Sequence, residues 1–504
     1  MSAEVVEVAC TSRSAAFEIR NGHPYRSPAP HRIELDGRPV LTTDLNVFVL
    51  HELQPATEYR LRVGAHELAF RTESESAHLD VRAFGAVGDG CADDTAALQS
   101  AIDACPTGGL VEIPEGTWLS GPLFLKSQMA LRLARGACLK GLQIIERWPL
   151  LPAFESGEVL GSWEGQPAAC HAGLLTGVRL QNVRIFGEGS IDANASFETW
   201  WSRPKQPFGG WRPRTVYLVR SQDVSIMGLK LRNSPSWTVH MLRCADIRLA
   251  GLDIEAPADS PNTDGINPES SRNVYIAGAR ISTGDDCVGI KSGKRSPDLR
   301  EFPPSSAITI SNCLMESGHG AVVIGSETSG GVSDILARDC VFRRTDRGLR
   351  IKTRRGRGRM AIVERVKLQN VRMEDVGTPF VVNSFYWCDP DGREPHVGDR
   401  RPRPIDEGTP SVRDIQLIDV DCDQVHQCAG FVLGLPEMPL QRLHIERYRV
   451  RFAENAVPGE PDMAEGITPA AKRGFYLCNV REVSLNDLTV DGVVGPAIIR
   501  ENAE

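Results

Sequence analysis

A short pattern of apolar and polar residues recurs along most of this chain and constrains its fold more than any other feature. The pattern reads apolar, any, apolar, any, any, apolar, any, apolar, and neighbouring copies usually start about 23 to 34 residues apart. One such unit cannot bury its apolar face without another stacked on it, so the repeat predicts a solenoid. Copies begin at Val178, Val224, Ile247, Val274, Ile308, Ile335, Val366, Ile415, Leu443 and Val483.

The two unrestricted positions in the middle of the pattern indicate which kind of solenoid forms. They turn the chain between two short strands, which suits a parallel β-helix better than the longer helices of α-solenoids. The alternative is an antiparallel sandwich of many short strands. Because the period persists and a predicted helix, capped by Asp93 or Asp94, precedes it, we predict an all-β fold: a right-handed parallel β-helix over residues 76–504 with an N-terminal helical cap.

Residues 1–75 have a different pattern. Apolar and polar residues alternate between turn signals in FEIRNG and RIELDGRPV, which predicts a small antiparallel β-sandwich. The phrase LQPATEYRLRV resembles the late strands of fibronectin type III modules. In that resemblance Tyr59 lies at a corner against Leu53.

Charge and cysteine content narrow the class of protein. A net charge of -8 and a pI near 5.9 exclude a polycation attracted to nucleic acid or membrane by its overall field. The N-terminus carries acids where a signal peptide has basic residues, and no run is apolar enough to span a membrane. Thirteen scattered cysteines without CxxC pairs indicate reduced thiols, so we expect a cytoplasmic protein with no metal and no cofactor.

Three acids stand at an interval that matches the predicted coil. Asp264 lies in NTDG, and Asp285 and Asp286 lie in GDDC, 21 residues further along. One β-helix coil advances the chain by only about 4.8 Å, so the two acidic motifs become stacked neighbours. Adjacent residues of a flat strand point to opposite faces, so Asp285 and Asp286 serve one site only if the chain bends, and Gly284 can make that bend. Crowded carboxyls cannot all ionise cheaply, and one acid beside carboxylate bases is what glycosidic hydrolysis requires.

Later coils add cationic residues to the same face. His319 lies in GHG, and Arg350 and Lys352 alternate in RIK, so the two cations share one strand face. Two cations beside carboxylates suit a substrate that is itself a carboxylate. Each motif alone has a plainer interpretation as a turn, a structural histidine or a solvated face, but their placement on successive coils favours one site.

The four motifs together match a known family. NTDG at 262–265, GDDC at 284–287, GHG at 318–320 and RIK at 350–352 occur in the order of the signature motifs of polygalacturonases, glycoside hydrolase family 28. The resemblance covers roughly residues 78–500, and the N-terminal module is similar to one found ahead of some bacterial exo-acting members.

The resemblance implies catalytic roles. Asp285 is the general acid, Asp264 and Asp286 activate the attacking water, and His319 tunes or orients the acid, with inversion at the anomeric carbon. Inverting enzymes usually hold their carboxyls far apart, whereas stacked coils bring these close together. The stereochemistry therefore rests on the resemblance alone.

The resemblance also implies substrate contacts. Arg350 and Lys352 bind the uronate carboxylate, and Asn262 holds Asp264 or the substrate. The predicted function is exo-acting hydrolysis of α-1,4 bonds in oligogalacturonides or polygalacturonate. Exo action is predicted from the N-terminal module and from inserts near 144–175 and 386–410 that can wall off one end of the groove. No nucleic acid or membrane partner is expected.

Other functions and two further features remain open at this stage. The alternatives are an endo-polygalacturonase, a rhamnogalacturonan or xylogalacturonan hydrolase, a calcium-dependent lyase, and a non-catalytic carbohydrate-binding β-solenoid. The basic run Arg343–Arg359 is interpreted as an electrostatic funnel for a polyanionic sugar rather than a nucleic-acid surface, since it lacks interleaved aromatics. Several loop aromatics either stack on sugar rings or seal the core, namely Trp200, Trp201, Trp211, Tyr386 and Trp387.

Overall fold

The computed structural model describes residues 4–299 and 301–504. Most strands join one 33-stranded sheet, and its pairings are parallel, so that the chain stacks coil on coil. This confirms the predicted all-β fold and the parallel β-helix. The sheet resolves into three ladders, each made of strands that repeat once per coil.

The strands of the first ladder are His78–Asp80, Gly109–Ile113, Met129–Leu133, Gln181–Gly187, Gln222–Met227, Ala245–Ala250, Arg272–Ala277, Ser305–Ser311 and Val332–Arg338. Those of the second are Asp89–Asp93, Gly116–Ser120, Ala137–Gly141, Ser190–Asp192, Lys230–Arg232, Asp253–Glu255, Arg280–Ser282, Leu314–Ser317 and Val341–Arg343. The third ladder, which carries the site described below, contains Leu123–Phe124, Leu175–Val178, Val216–Val219, Val239–Leu242, Ile266–Glu269, Asp286–Ile290, Gly320–Ile324, Arg347–Lys352, Thr378–Asn383, Cys428–Leu433 and Ile498–Ala503. Four long strands run through more than one ladder: Ile362–Glu374, Ser411–Val425, Leu440–Phe452 and Arg473–Asp491.

The sequence repeat corresponds directly to register in the first ladder. Each copy from Val224 to Val483 pairs its first residue with the first residue of the next copy. The copy assigned to Val178 is misaligned, because the residue that pairs with Val224 is Val183. The second half of VRLQNVRI imitates the first half, and the pattern alone could not separate them.

The N-terminal residues form two antiparallel sheets. One contains Glu4–Cys10, Ala15–Arg20 and Val47–Leu50, and the other contains Arg26–Leu35, Arg38–Leu45, Glu58–Val63 and His66–Arg71. The predicted tyrosine corner is confirmed: the backbone N–H of Gln54 donates to the hydroxyl oxygen of Tyr59 at 2.8 Å, and Leu53 is buried beside it.

Helices are few and short. They are Thr95–Ala104, Asp389–Gly392 and Pro395–Gly398, with 3-10 turns at Val81–Phe84 and Ile145–Arg147. The first of these caps the β-helix core with Leu98, Ala101 and Ile102, all buried. Three small hairpins project from the insert after residue 144, pairing Leu150–Leu151 with Cys170–His171, Phe154–Glu155 with Glu158–Val159, and Ser162–Trp163 with Gln166–Pro167.

All thirteen cysteines lie within the described residues and are unpaired. Cys313, Cys340 and Cys422 are buried in the main apolar core, which confirms their predicted role as core thiols. Within residues 4–299 and 301–504, no helix is both long and apolar enough to cross a membrane.

A buried carboxylate joins the N-terminal sheets to the β-helix. The side chain of Glu18 is fully buried and accepts hydrogen bonds from the hydroxyl of Tyr275 at 2.7 Å and the amide of Asn312 at 2.9 Å. Arg20 lies 3.0 Å and Arg338 lies 3.3 Å from the same carboxylate. Burial would raise the pKa of Glu18, but the hydrogen bonds from Ser311, Tyr275 and Asn312 and the charge of Arg338 bring it below the ordinary value.

That lowered pKa predicts a specific dependence of stability on pH. A carboxyl with a depressed folded-state pKa stabilises the protein above its unfolded pKa of about 4.3 and loses that effect as the pH falls through the folded pKa. We expect Glu18→Gln to cost about 3 kcal/mol at pH 7, with the difference in melting temperature from wild type shrinking below about pH 4. Melting curves from pH 3 to 7 measure this, with the exposed Glu67→Gln as control. A constant difference across that range would contradict the assignment.

Candidate active site

The third ladder brings the predicted acids together. Ile266 pairs with Val288. Asp264 and Asp286 each stand two residues before that pair, so they lie side by side on neighbouring coils. The N–H of Gly265 donates to the carbonyl of Asp286 at 3.0 Å. The predicted stacking of the two acidic motifs on adjacent coils is thus what the structure shows.

A bend at Gly284 turns both members of the acidic pair to one side. The strand begins at Asp286, and Asp285 lies in the bend before it. A side chain at position 284 would overlap the carbonyl oxygen of Ser260, so the close approach of two coils requires glycine here. Asp264, Asp285 and Asp286 line one cavity of about 80 Å³.

Asp286 is held as the charged member of the group. It is buried, its Oδ2 accepts from the ammonium of Lys352 at 2.9 Å, and the guanidinium of Arg350 lies 3.9 Å from its Oδ1. Burial alone would raise the pKa of Asp286, but Lys352, Lys291 and Arg350 lower it below the ordinary value. The structure therefore favours an ionised carboxylate at this position.

Asp264 is held by residues that the motifs did not identify. The amide of Asn267 donates to its Oδ2 at 2.8 Å, and the ammonium of Lys291 lies 3.4 Å away. Burial raises the pKa of Asp264 well above the ordinary value, against the effect of Lys291 and with added repulsion from Asp285. The expectation that Asn262 holds Asp264 is wrong, since the Asn262 side chain accepts from Arg212 at 2.6 Å, although Asn262 still lines the cavity.

Asp285 is the acid with partial access to solvent. Burial and the neighbouring Asp286 raise its pKa, and His319 opposes that shift. The backbone N–H of His319 donates to the carbonyl of Asp285 at 3.1 Å, while its Nδ1 lies 2.7 Å from the carboxylate of Asp346. That contact with Asp346 raises the pKa of His319 and favours a charged imidazole next to Asp285.

Arg350 is already paired inside the protein. Its Nε donates to Oδ1 of Asp462 at 3.1 Å, and Asp462 is fully buried. The ring of Tyr386 packs under both motif cations, with its centre 5.5 Å from the Arg350 guanidinium and 5.3 Å from the Lys352 ammonium. Lys352 and Tyr386 line the cavity, whereas Arg350 lies behind them.

A second buried lysine completes the charge pattern. Lys291 is 4% exposed and lies between Asp264 at 3.4 Å and Glu327 at 3.5 Å, with its ammonium 4.7 Å from the centre of the Trp237 ring. A sequence signal for it existed. The pairing of Ile290 with Ile324 and of Ile324 with Ile351 puts Lys291 at the same coil position as Lys352, and both follow an isoleucine in an Ile-Lys step.

The basic run does not form the predicted funnel. Every arginine in it lies within 4.0 Å of a carboxylate, namely Arg343, Arg344, Arg347, Arg350, Arg354, Arg355, Arg357 and Arg359. The arginines of the run are therefore neutralised by carboxylates, most of them distant in sequence, and the funnel interpretation is wrong. Among the loop aromatics, Trp200 and Trp201 are buried in the core, while Tyr386 lines the cavity.

Loops from both inserts reach the cavity. Glu164 comes from the tip of the Ser162–Trp163 hairpin, and Cys388 and Asp389 come from the segment that follows Tyr386. Lys294 ties that segment to the β-helix, since its ammonium donates to Asp389 at 2.7 Å. Within the described residues, no group of three or more His, Cys, Asp and Glu side chains has the geometry to hold a metal ion.

Comparison with known proteins places this arrangement in a family. The family model "Glycosyl hydrolases family 28" matches residues 160–433, and a second, for "Rhamnogalacturonase A/epimerase, pectate lyase-like", matches residues 79–132. A probable polygalacturonase of Vitis vinifera is 33% identical over 399 residues, covering 76% of this chain and 77% of the relative. Relatives named for endo action and others named for exo action both match.

Solved structures agree with these matches. The family 28 exopolygalacturonase of Yersinia enterocolitica has a TM-score of 0.74 at 20% identity and covers 100% of this chain and 98% of its own, which shows a shared fold. The hyperthermoactive exopolygalacturonase of Thermotoga maritima has a TM-score of 0.66 at 27% identity over 78% of this chain and 95% of its own. The chain belongs to glycoside hydrolase family 28 and is a glycoside hydrolase.

Proposed function

We propose that this enzyme hydrolyses α-1,4 bonds between galacturonate units of pectic oligomers. The observation that carries the proposal is the division of charge in one cavity: Asp286 is held ionised by Lys352, while burial favours a proton on Asp285. An acid and a base with separated pKa values are what glycosidic hydrolysis needs. The 33% identical relative is named a probable polygalacturonase, which supports the same substrate class.

The proposed roles follow from the protonation states. Asp285 gives its proton to the leaving oxygen, because its pKa is raised and it is the acid with solvent access. Asp286 takes the proton of the attacking water, and Asp264 positions that water beside it. His319 sets the proton affinity of Asp285. These steps give inversion, which proton NMR of the first-formed sugar anomer tests directly.

The cations lining the cavity are proposed to recognise the uronate carboxylate. Lys352, Lys291 and Lys205 all line it, and an ammonium next to a carboxylate substrate forms a charge-assisted hydrogen bond. Arg350 acts as a support, since its guanidinium is committed to Asp462 and holds the ring of Tyr386. Asn262 remains a proposed substrate contact at the cavity wall.

Exo action is proposed from the size and walls of the cavity. At about 80 Å³ it is well below the roughly 300 Å³ of ordinary ligand pockets, and the loops carrying Glu164 and Asp389 form its walls. Such a site admits the end of a chain more readily than its middle. We propose that the substrates are short oligomers met in the cytoplasm.

Sizing the products from long polygalacturonate tests this mode. Exo action predicts only monomers or dimers at the earliest times, while a ladder of intermediate lengths would establish endo action. Four further measurements separate the rival functions. Unsaturated products and loss of activity with EDTA would identify a lyase, cleavage confined to rhamnogalacturonan or xylogalacturonan would change the substrate, and tight binding without turnover would indicate a binding solenoid.

His319 gives a prediction on pH dependence. Charged His319 lowers the pKa of Asp285, so removing it raises that pKa. Because Asp285 must be protonated, activity is lost as the pH rises through its pKa. His319→Gln is therefore expected to shift the alkaline limb of the kcat/KM profile to higher pH and leave the acid limb, set by Asp286, in place. An alkaline limb that moves down or stays fixed would contradict the role.

A further inference from the structure

The third ladder carries a second and larger cavity beyond the active site. It encloses about 550 Å³ and is lined by Arg400, Arg473, Phe431 and Tyr476, together with the loop Gly466–Thr468. Arg350 pairs with Val381, Val381 with Phe431, and Phe431 with Tyr476. The floor of this cavity is therefore the outward continuation of the strand column that contains Arg350, up to three coils or about 14 Å further along.

The two arginines at this cavity form no ion pair with any residue that the structure describes. Across residues 4–299 and 301–504, neither Arg400 nor Arg473 has a carboxylate oxygen within 4.0 Å, in contrast to all eight arginines of the run 343–359. Arg400 is exposed and Arg473 is half-buried. Two guanidinium groups that lack a carboxylate partner among the described residues and lie at a concave surface are available to an external anion.

The rest of the lining suits a sugar acid. The rings of Phe431 and Tyr476 stack with centres 5.2 Å apart, and the Arg473 guanidinium lies 4.4 Å from the centre of the Tyr476 ring. The guanidinium of Arg400 donates to the carbonyl of Glu465 at 2.7 Å, and this hydrogen bond holds one side of the guanidinium in place. One carboxylate also lines the cavity: Glu501 accepts from the Tyr476 hydroxyl at 2.8 Å, so the cavity keeps an excess of positive charge.

One loop connects the two cavities. Asp462 holds Arg350 behind the active site, while Gly466–Thr468 of the same loop line the larger cavity. A chain that extends from the active site along the third ladder must pass this loop. We propose that the larger cavity is a distal binding site for the carboxylates of an acidic oligosaccharide chain whose end lies in the active site. This inference rests on the proposed function.

The site predicts a dependence on chain length. The double variant Arg400→Gln/Arg473→Gln is expected to lower kcat/KM by about three- to tenfold for galacturonate chains of about ten units, through KM, since each lost contact to a partly exposed charge weakens binding modestly. Trimers do not reach the site, so their kcat/KM stays within about twofold. High salt, which screens exposed charges, should remove the advantage of long chains in wild type. Arg372→Gln is the control, because Arg372 is exposed on another ladder.

Direct binding separates this inference from the proposed function. In a protein made inactive by Asp285→Asn, calorimetry with the ten-unit chain should show a weaker Kd when Arg400 and Arg473 are replaced, but not when Arg372 is replaced. An equal effect on trimers and long chains, or no effect on the Kd of long chains, would overturn the distal site even if hydrolysis is found. Absence of hydrolysis by wild type would overturn the proposed function, while the binding measurement would still decide the distal site.

Discussion

Replacing Asp285 with asparagine is expected to lower kcat by about 10³- to 10⁴-fold, the upper range for loss of a general acid. The amide keeps the shape of the carboxyl but has no proton to transfer to the leaving oxygen. Initial rates of reducing-end release from oligogalacturonides measure the loss. The effect should be much smaller on an aryl galacturonide, whose leaving group departs without protonation.

Stability distinguishes this outcome from simple damage to the fold. The raised pKa of Asp285 means that its ionised form disfavours the folded state near neutral pH. Asp285→Asn should therefore leave the melting temperature unchanged or higher. Asp259→Asn, at an exposed position, is the matched control and should retain wild-type kcat. Retention of more than about a tenth of wild-type kcat by Asp285→Asn would remove Asp285 from the role of acid.

Register explains why the fold could be predicted from the sequence. Each column of side chains in the β-helix core takes one residue from every coil, so the first apolar position of each repeat is also a position that pairs in the first ladder, from Val224 to Val483. The misalignment at Val178 has a physical cause: in the segment VRLQNVRI the apolar, any, apolar step that forms a strand occurs twice. Handedness has no such direct expression in the pattern.

Only those residues of the candidate site that occupy equivalent positions on neighbouring coils could be predicted from the sequence. Asp264 and Asp286 come together because they occupy equivalent coil positions, and that equivalence can be read from the sequence. Asn267 contacts Asp264 through its side chain, and Asp462 is brought to Arg350 by a long loop. Neither residue has a similar residue at the equivalent position of a neighbouring coil, so the repeat does not reveal them. The basic run was wrongly predicted to be an electrostatic funnel, because several acids that neutralise it, such as Glu437 and Asp391, lie on distant segments of the sequence.

Among the site residues that the motifs did not identify, Lys291 is expected to cause the largest loss of stability when it is replaced. Burial opposes ionisation of Glu327, and Lys291 is the first of the cations that lower its pKa far below the ordinary value. Lys291→Met would leave Glu327 and Asp264 buried together without the ammonium between them, and breaking a buried ion pair in this way costs about 3–5 kcal/mol. Urea unfolding at pH 7 measures the loss in the free energy of unfolding. A large fall in kcat should accompany it, because Asp264 loses its cation at 3.4 Å.

A second substitution tests whether charge is the cause. Glu327→Gln in the Lys291→Met background removes the carboxylate that was left unpaired, so the double variant should recover part of the lost stability, giving a coupling energy of about 1–3 kcal/mol. The defect of the single variant should also shrink as the pH falls, because a carboxyl with a lowered folded-state pKa loses its stabilising effect when it is protonated. Additive losses in the double variant, or a defect that does not change with pH, would show that Lys291 acts through packing against Trp237 instead.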